Sequence, residues 1–362
     1  MLKNEKKLKD IGVFVGFNGA GAAGIYSFTR VLRDRGYKID FYGIGEIYFK
    51  QQVDELLIFP KNPFNAFIAR WKLFFKILPK YDIWHFNWSK TLFFYPLNIL
   101  LLKLYGKKVV VTFRGSDVET DLDFLKTNQE IKNQKLNWPD YYKNYYHRSV
   151  WAKLYRRVRS MIMVKMADRV ILSGPYLAHS VAHYDQIIGN ALNLDQIESV
   201  KSNKSQENFT ILHAPTDPKV KGTDIIEKAF NNLSKNFPEC NFKILKVTDH
   251  NHLLEEMSKA SIVIDQLLVG WYGVQALEAL VLGKTVMCFI NDPYLKLMDF
   301  DQPLPVVNTN AFSFEQDLAN LIKAGKFKES NLAGQHFVHK YFNQEKIADQ
   351  FEQIYKQVYH KL

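Results

Sequence analysis

The sequence predicts an α/β protein of two similar units, each a parallel sheet flanked by helices. Three observations predict it. The first half opens with a strand, a glycine-rich loop, a helix and a second strand; the second half repeats the strand–helix alternation; and 362 residues with 47% apolar content provide for two cores.

In order, Ile11–Val15 reads as a buried strand, 16–24 as the glycine loop, 25–35 as a helix closed by Gly36, and 38–42 as the next strand. Short apolar or β-branched runs at 83–86, 109–113 and 170–172 continue a parallel sheet. In the second half, strands are expected at 209–213, 242–247, 262–266 and 285–290. Helices are expected at 223–237, 253–259, 274–282 (ended by Gly283), 313–324 and 344–362. The join falls in the polar stretch 185–208. Residues 119–165 form a charged, aromatic, helical-looking insert with a helix start at Trp138-Pro139-Asp140 and no assigned task.

Cys240 and Cys288 are too few for a disulfide scaffold and lack metal-ligand spacing, which fits the cytoplasm. The basic N-terminus leads into a strand and glycines instead of a signal-peptide core. The longest apolar stretch, 91–105, is interrupted by Pro96, Asn98 and Lys103, so no spanning helix is expected. The net charge of +11 is uneven: residues 1–190 hold 30 Lys/Arg against 16 Asp/Glu, and the remainder 18 against 21. A basic first half implies an anionic partner, whether nucleic acid, acidic lipid or a phosphorylated acceptor.

Three constellations carry chemistry. Residues 16–24 contain Gly19-x-Gly21-x-x-Gly24 between a strand and a helix, where small residues let backbone approach a phosphate. This is the dinucleotide fingerprint, and Asp40 lies at the distance expected of a ribose partner; a tight turn needed only for packing looks the same. The second, 213–224, is a strand-to-helix loop with Lys219, Lys221 and Gly222, suited to a diphosphate if not merely solvated. In the third, 265–284, a strand, a glycine–aromatic loop and a helix follow in order. Gly270 and Gly273 leave amides free for an anion, and Glu278, among apolar neighbours, is placed to accept ribose hydroxyls.

The string Glu278-Ala279-Leu280-Val281-Leu282-Gly283-Lys284-Thr285-Val286 resembles the C-terminal signature of retaining GT-B glycosyltransferases of family 4. The glycine loop, Tyr81-Asp82-Ile83-Trp84-His85-Phe86, Val111-Thr112-Phe113-Arg114-Gly115-Ser116-Asp117-Val118 and Ala167-Asp168-Arg169-Val170-Ile171-Leu172-Ser173 resemble the same family in the same order, over about 11–360. This ordered set displaces the nicotinamide-dehydrogenase reading that the glycine loop and Asp40 would support on their own. The resemblance implies two Rossmann-like domains facing each other across a cleft that holds the active site. It implies an acceptor domain at 1–188, a donor domain at 189–342, and a helix at 343–362 returning to the first domain.

Carried over by position, the resemblance implies that Glu278 binds the ribose, that Lys221 and the amides near Tyr272, Gly273 and Val274 hold the diphosphate, and that Gly19 approaches the leaving phosphate. Lys221, Glu278 and Gly19 are the expected catalytic set, with Gly21, His85, Arg114 and Asp117 as acceptor or sugar contacts. Three positions depart from the pattern. Gly270 stands where the family has its first glutamate, leaving Asp265, Gln266 or Trp271 as substitutes. Thr216 replaces an arginine, for which Lys219 stands in, and Arg114 replaces a histidine, suiting an anionic donor sugar or an acceptor phosphate. His85 reads equally as a structural histidine.

The implied reaction transfers a sugar from a UDP- or GDP-sugar to a hydroxyl with retention, without cofactor or metal, lysine and helix dipoles neutralising the departing diphosphate. Residues 62–80 place Phe64, Phe67, Ile68, Trp71, Phe74, Phe75 and Leu78 at helical spacing, with Lys72, Lys76 and Lys80 beside them. Such a helix either packs on the sheet or lies on an anionic membrane surface. With the basic first half it favours a glycan or polyprenyl-diphosphate-linked acceptor in bacterial surface polysaccharide synthesis, at the inner face of the membrane. A nucleic-acid partner is not expected, since no recognition module is present. A sugar-nucleotide epimerase and a catalytically inactive sugar-nucleotide binding subunit are the rival readings.

Overall fold

The computed structural model describes residues 10–15, 22–44, 53–88, 91–92, 97–115, 117–118, 150–200, 209–246, 249–325 and 330–359. The loop residues 16–21, with Gly19 and Gly21, the 119–149 part of the insert and the polar run 201–208 lie outside them. The described residues form two units, one of 10–192 with the C-terminal helix Gln344–Tyr359, the other of 193–343. The division falls between Leu192 and Asn193.

In the first unit the elements run β1 (Ile11–Val15), α1 (Ala22–Asp34), β2 (Ile39–Ile44), β3 (Glu55–Leu57), α2 (Pro63–Ile77), β4 (Ile83–Asn87), α3 (Leu97–Leu104), β5 (Lys108–Phe113), α4 (Val150–Met166), β6 (Arg169–Leu172) and β7 (Gln186–Ile187). The strands pair in parallel in the order β3-β2-β1-β4-β5-β6-β7. Alternation assigns each strand's residues to two cores. Ile11, Val13, Phe41, Ile83 and Val110 pack with α1 and the C-terminal helix, whereas Phe14, Tyr42, Trp84, Phe86 and Val111 pack with Phe74 and Ile77 of α2, Ile99 and Leu102 of α3, and Met163 of α4. Phe14 stacks between Tyr42 and Trp84, with ring centroids 5.1 and 4.9 Å away.

The C-terminal helix belongs to this unit through an apolar stripe at Ile347, Phe351, Ile354, Tyr355 and Val358. Phe351 stacks on Phe28 of α1 at 4.1 Å, and each such buried side chain stabilises by about 1.5–3 kcal/mol. At the rim, Arg35 bridges Glu345, Asp349 and Glu352, contributing less because the group is partly solvated. The helix is also pinned from inside: the phenol of Tyr355 meets His85 Nδ1 at 2.8 Å.

The second unit contains α5 (Leu194–Glu198), β8 (Phe209–His213), α6 (Pro218–Lys221), α7 (Thr223–Leu233), β9 (Cys240–Ile244), α8 (His250–Lys259), β10 (Ile262–Ile264), α9 (Val274–Val281), β11 (Thr285–Cys288), α10 (Asp292–Leu295), β12 (Val307–Asn308), α11 (Phe314–Ala324) and α12 (Leu332–Tyr341). Its parallel sheet runs β12-β11-β10-β8-β9. α9 is buried on nearly every side, from Gln275 to Val281, and packs on α8, α12 and α5, which explains its almost wholly apolar sequence.

Each sheet reverses its strand order once, between β1 and β4 and between β8 and β10. In open α/β sheets ligands bind beyond the carboxyl ends of the strands at such points. Both constellations described next sit there.

Candidate donor and acceptor sites

Beyond the carboxyl end of β8, Asp217 caps α6 by accepting from the amides of Lys219 (3.1 Å) and Val220 (3.3 Å). Gly222 ends this short helix at φ +76°, a left-handed conformation that favours glycine, and a Cβ there would press on Leu268 at 3.0 Å. The turn aims Lys221 at β10. Its ammonium forms an ion pair with Asp265, whose side chain is fully buried, and its carbonyl accepts from the Leu267 amide at 3.2 Å. Asp265 Oδ2 also accepts from the Gly273 amide at 2.5 Å, so one carboxylate joins the loop after β8 to the start of α9. Lys219, by contrast, is exposed and forms no ion pair among the described residues.

The amide of Gln266 shapes the loop between β10 and α9. Nε2 donates to the Trp271 and Phe289 carbonyls at 2.8 and 3.0 Å, and Oε1 accepts from the Leu268 and Val269 amides at 2.7 and 2.6 Å. Trp271 is buried, with its ring 4.5 Å from the half-buried Tyr272 ring. Gly270 has φ +79°, and a Cβ on it would meet Asn291, Tyr294 and Phe289 at 3.1–3.4 Å. Backbone conformation and packing therefore both demand glycine where the resembling family has a glutamate.

No side chain caps α9, so Val274 stands at an open helix N-terminus that carries partial positive charge. Further along α9, Glu278 is 5% exposed; its Oε1 meets His250 Nε2 at 2.8 Å, and Oε2 has no partner among the described residues. The hydrogen bond that His250 donates to Glu278 raises the His250 pKa, outweighing its burial. His250 opens α8 behind the Asp249 cap. Sequence reasoning missed it: a cap signals the helix start, but the approach of α8 to α9 is tertiary. His213, at the end of β8, is held near pKa 4 by burial and uses both nitrogens internally, Nδ1 donating to the Ile264 carbonyl (3.0 Å) and Nε2 accepting from the Thr223 hydroxyl (2.9 Å).

In the first unit, His85 is fully buried, with Nδ1 on Tyr355 and Nε2 on Thr112 Oγ1 at 2.7 Å. Neither nitrogen is left to reach a sugar, and burial together with the neighbouring Arg114 pushes the ring's pKa down to about 3. Asp117 Oδ1 accepts from the amides of Arg114 (3.1 Å) and Gly115 (2.9 Å), folding the turn after β5; burial lifts its carboxyl to about 6. That turn presents Arg114, half-buried, to Asn87 at the end of β4 and to Asn190 after β7. Trp88, following Asn87, is the single non-glycine residue with positive φ among those described, at +59°, and Arg114 lies over its ring at 5.9 Å. Asn87, Trp88 and Asn190 carried no distinguishing sequence signal.

Asp40, the ribose partner in the dehydrogenase reading, is paired in register with Gly12 at the start of β1, three residues before the strand end that leads into the glycine loop. That places it roughly 10 Å from the phosphate end of the sheet, where it binds Lys80 and the Tyr81 hydroxyl instead. The physical layout thus disfavours a nicotinamide site.

No protein-family model and no curated protein sequence matches the chain. Solved structures do. It is similar to HepE from Anabaena, solved with UDP-glucose (TM-score 0.63, 13% identity, 96% of this chain and 99% of that one). It is similar to sucrose-phosphate synthase from Thermosynechococcus elongatus (TM-score 0.63, 13% identity, 98% and 100%) and to UDP-GlcNAc 2-epimerase from Methanocaldococcus jannaschii (TM-score 0.51, 10% identity, 96% and 99%). At these identities the likeness shows the fold, and the fold is the GT-B architecture of two Rossmann-like domains.

Proposed function

We propose that this chain is a retaining glycosyltransferase, moving a sugar from a nucleoside-diphosphate sugar to a hydroxyl of a glycan or lipid-linked acceptor in bacterial surface polysaccharide synthesis. The observation that carries the reading is a convergence at the start of α9: an uncapped helix N-terminus, the Lys221 ammonium beside it, and the unpartnered Oε2 of Glu278 further along the helix. A diphosphate fits the first two, and a ribose hydroxyl the third. Lys221, tied to Asp265, retains two N–H donors, and exposed Lys219 adds a second charge. These charges lower the cost of the departing diphosphate without a metal. Front-face attack assisted by the leaving phosphate requires no protein base.

The membrane association rests on the outer helices of the first unit. Phe74 and Ile77 of α2 enter the core, whereas Phe64, Phe67, Ile68 and Phe75 are exposed, so the helix serves both surfaces. Of the eighteen large apolar side chains exposed among the described residues, fourteen lie between Ile58 and Met161, chiefly on α2, α3 and α4. These three helices hold nine Lys/Arg and no Asp/Glu, and all three feed the same core of the sheet. An aromatic, wholly basic helical layer suits an anionic leaflet. No described helix is long and apolar enough to cross a membrane.

The epimerase among the structural neighbours keeps a second reading open, in which the sugar is altered and released without an acceptor. Incubation with UDP- and GDP-sugars plus a polyprenyl-diphosphate glycan, followed by product mass analysis, separates them. A product heavier by one sugar supports transfer; an isomeric nucleotide sugar formed without acceptor contradicts it.

A further inference from the structure

Arg114 raises a question that its hydrogen-bond partners among the described residues do not answer. Among the described residues its guanidinium donates hydrogen bonds only to neutral oxygens, Asn190 Oδ1 at 2.6 Å and Asn87 Oδ1 at 3.4 Å, and forms no ion pair. Asp117, the carboxylate on the same turn, has Oδ1 committed to backbone amides. Burial pushes the guanidinium down to about pKa 10, and Asp117, which makes no hydrogen bond to it, opposes the shift only through space. A cation held in a poorly solvated place without a direct ion-pair partner is costly unless a ligand supplies one.

A second observation points the same way. Asn87 is fully buried and its Nδ2 group has no hydrogen-bond partner, although its Oδ1 lies beside the guanidinium. Unpartnered buried donors of this kind are rare. The strained backbone of Trp88, next in the chain, brings an aromatic face to the same spot. All of this stands beyond the carboxyl ends of β4 and β5, beside the point where the strand order reverses.

We infer that Arg114, with Asn87 Nδ2, forms a subsite for an oxyanion carried by a sugar substrate, a carboxylate on a uronic acid or a phosphate on the acceptor. This deepens the transferase reading, on which the word substrate rests, by requiring one of the two substrates to be anionic beyond its nucleotide. The planar fork of Arg114 meets two oxygens and the amide a third contact. Asn190 holds the fork in place from the other side.

The test titrates the full-length protein with glucuronate, inorganic phosphate and uncharged glucose, followed by NMR, in the presence of UDP to fill the diphosphate site. Glucuronate or phosphate is expected to bind and glucose not, and the oxyanion that binds identifies the source. Arg114→Gln should weaken that binding by on the order of 10- to 100-fold while UDP binding persists. Asn190→Asp places a carboxylate against the guanidinium; it should fold at least as stably as the wild type and also lose the oxyanion. Wild-type protein that binds neither anion, or variants that bind as well as wild type, would overturn the subsite. Loss of UDP binding in the wild type is a separate result, telling against the transferase reading, and the Arg114 dependence is then read without UDP.

Discussion

A Cβ on Gly273 would lie 2.9 Å from the Lys221 ammonium nitrogen and 3.2–3.3 Å from both carboxylate oxygens of Asp265. Gly273 is therefore the position at which the loop after β8, the end of β10 and the start of α9 close on one another. Gly273→Ala should fold, since the lysine end can move, with a stability loss of about 1–3 kcal/mol. The displaced ammonium should weaken UDP binding on the order of tenfold or more, measured by calorimetry. Unchanged affinity would remove Lys221 from the diphosphate site.

Glu278→Ala is expected to weaken nucleotide-sugar binding by on the order of 10- to 100-fold, through lost charge-assisted hydrogen bonds. His250→Ala should do less, because His250 orients the carboxylate instead of meeting the ribose. The His250–Glu278 pair adds a pH signature. His250 has a raised folded pKa, so its contribution is full below the ordinary histidine value of about 6.5 and is lost as pH rises through the folded value. A melting-temperature profile of His250→Ala should differ from wild type at acid pH and converge with it at alkaline pH.

His85 and His213 have the opposite sign. Their folded pKa values, about 3 and about 4, lie below the unfolded value of about 6.5. The unfolded chain takes up protons first, so their effect is to destabilise the fold progressively from about pH 6.5 down towards pH 3–4. Replacing His213 by Gln should flatten this part of the stability curve. An equally steep decline in the variant would assign acid sensitivity to other groups.

Lys72→Glu with Lys76→Glu should release the protein from anionic vesicles in a sedimentation assay. Reversal of two charges near the surface is expected to cost at least about 2 kcal/mol of membrane affinity. Arg157→Glu on α4 should act in the same direction, since α4 belongs to the same basic layer. Retention of full vesicle binding by all three substitutions together would leave the exposed aromatic face without a lipid role.

The fold was legible because strand alternation and helical periodicity are local. Ile11–Val15 and α9 declared themselves through runs of apolar residues bounded by glycine, and Phe209–His213 through its aromatic and β-branched residues. α3 and α12 did not: α3 lies in a stretch read only for its failure to span a membrane, and α12 mixes Gly334, His336 and His339 into its pattern. Of the candidate donor site, Lys221, Gly273 and Glu278 stood in recognisable strand–loop–helix constellations. Asp265 and Gln266 were read as substitutes for the family's first glutamate, yet their polar atoms bind Lys221 and loop backbone, partners that only the folded loop brings within reach. His250, Asn87 and Asn190 are remote in sequence from the residues they touch, so no spacing could reveal them. Gly270 looked like a missing glutamate and is a turn requirement, visible only through its positive φ.

The most direct test of the central claim is a thermal-shift and calorimetric screen of the folded protein against UDP, GDP and their common sugars, paired with Glu278→Ala. A ligand that binds only the native state raises the melting temperature, by an amount corresponding to about 2.7 kcal/mol at a hundredfold excess over Kd. The transferase account predicts stabilisation by one nucleoside diphosphate and its sugar, lost in Glu278→Ala. No stabilisation by any member of the panel, or stabilisation that survives in Glu278→Ala, would contradict the donor site assigned to α9.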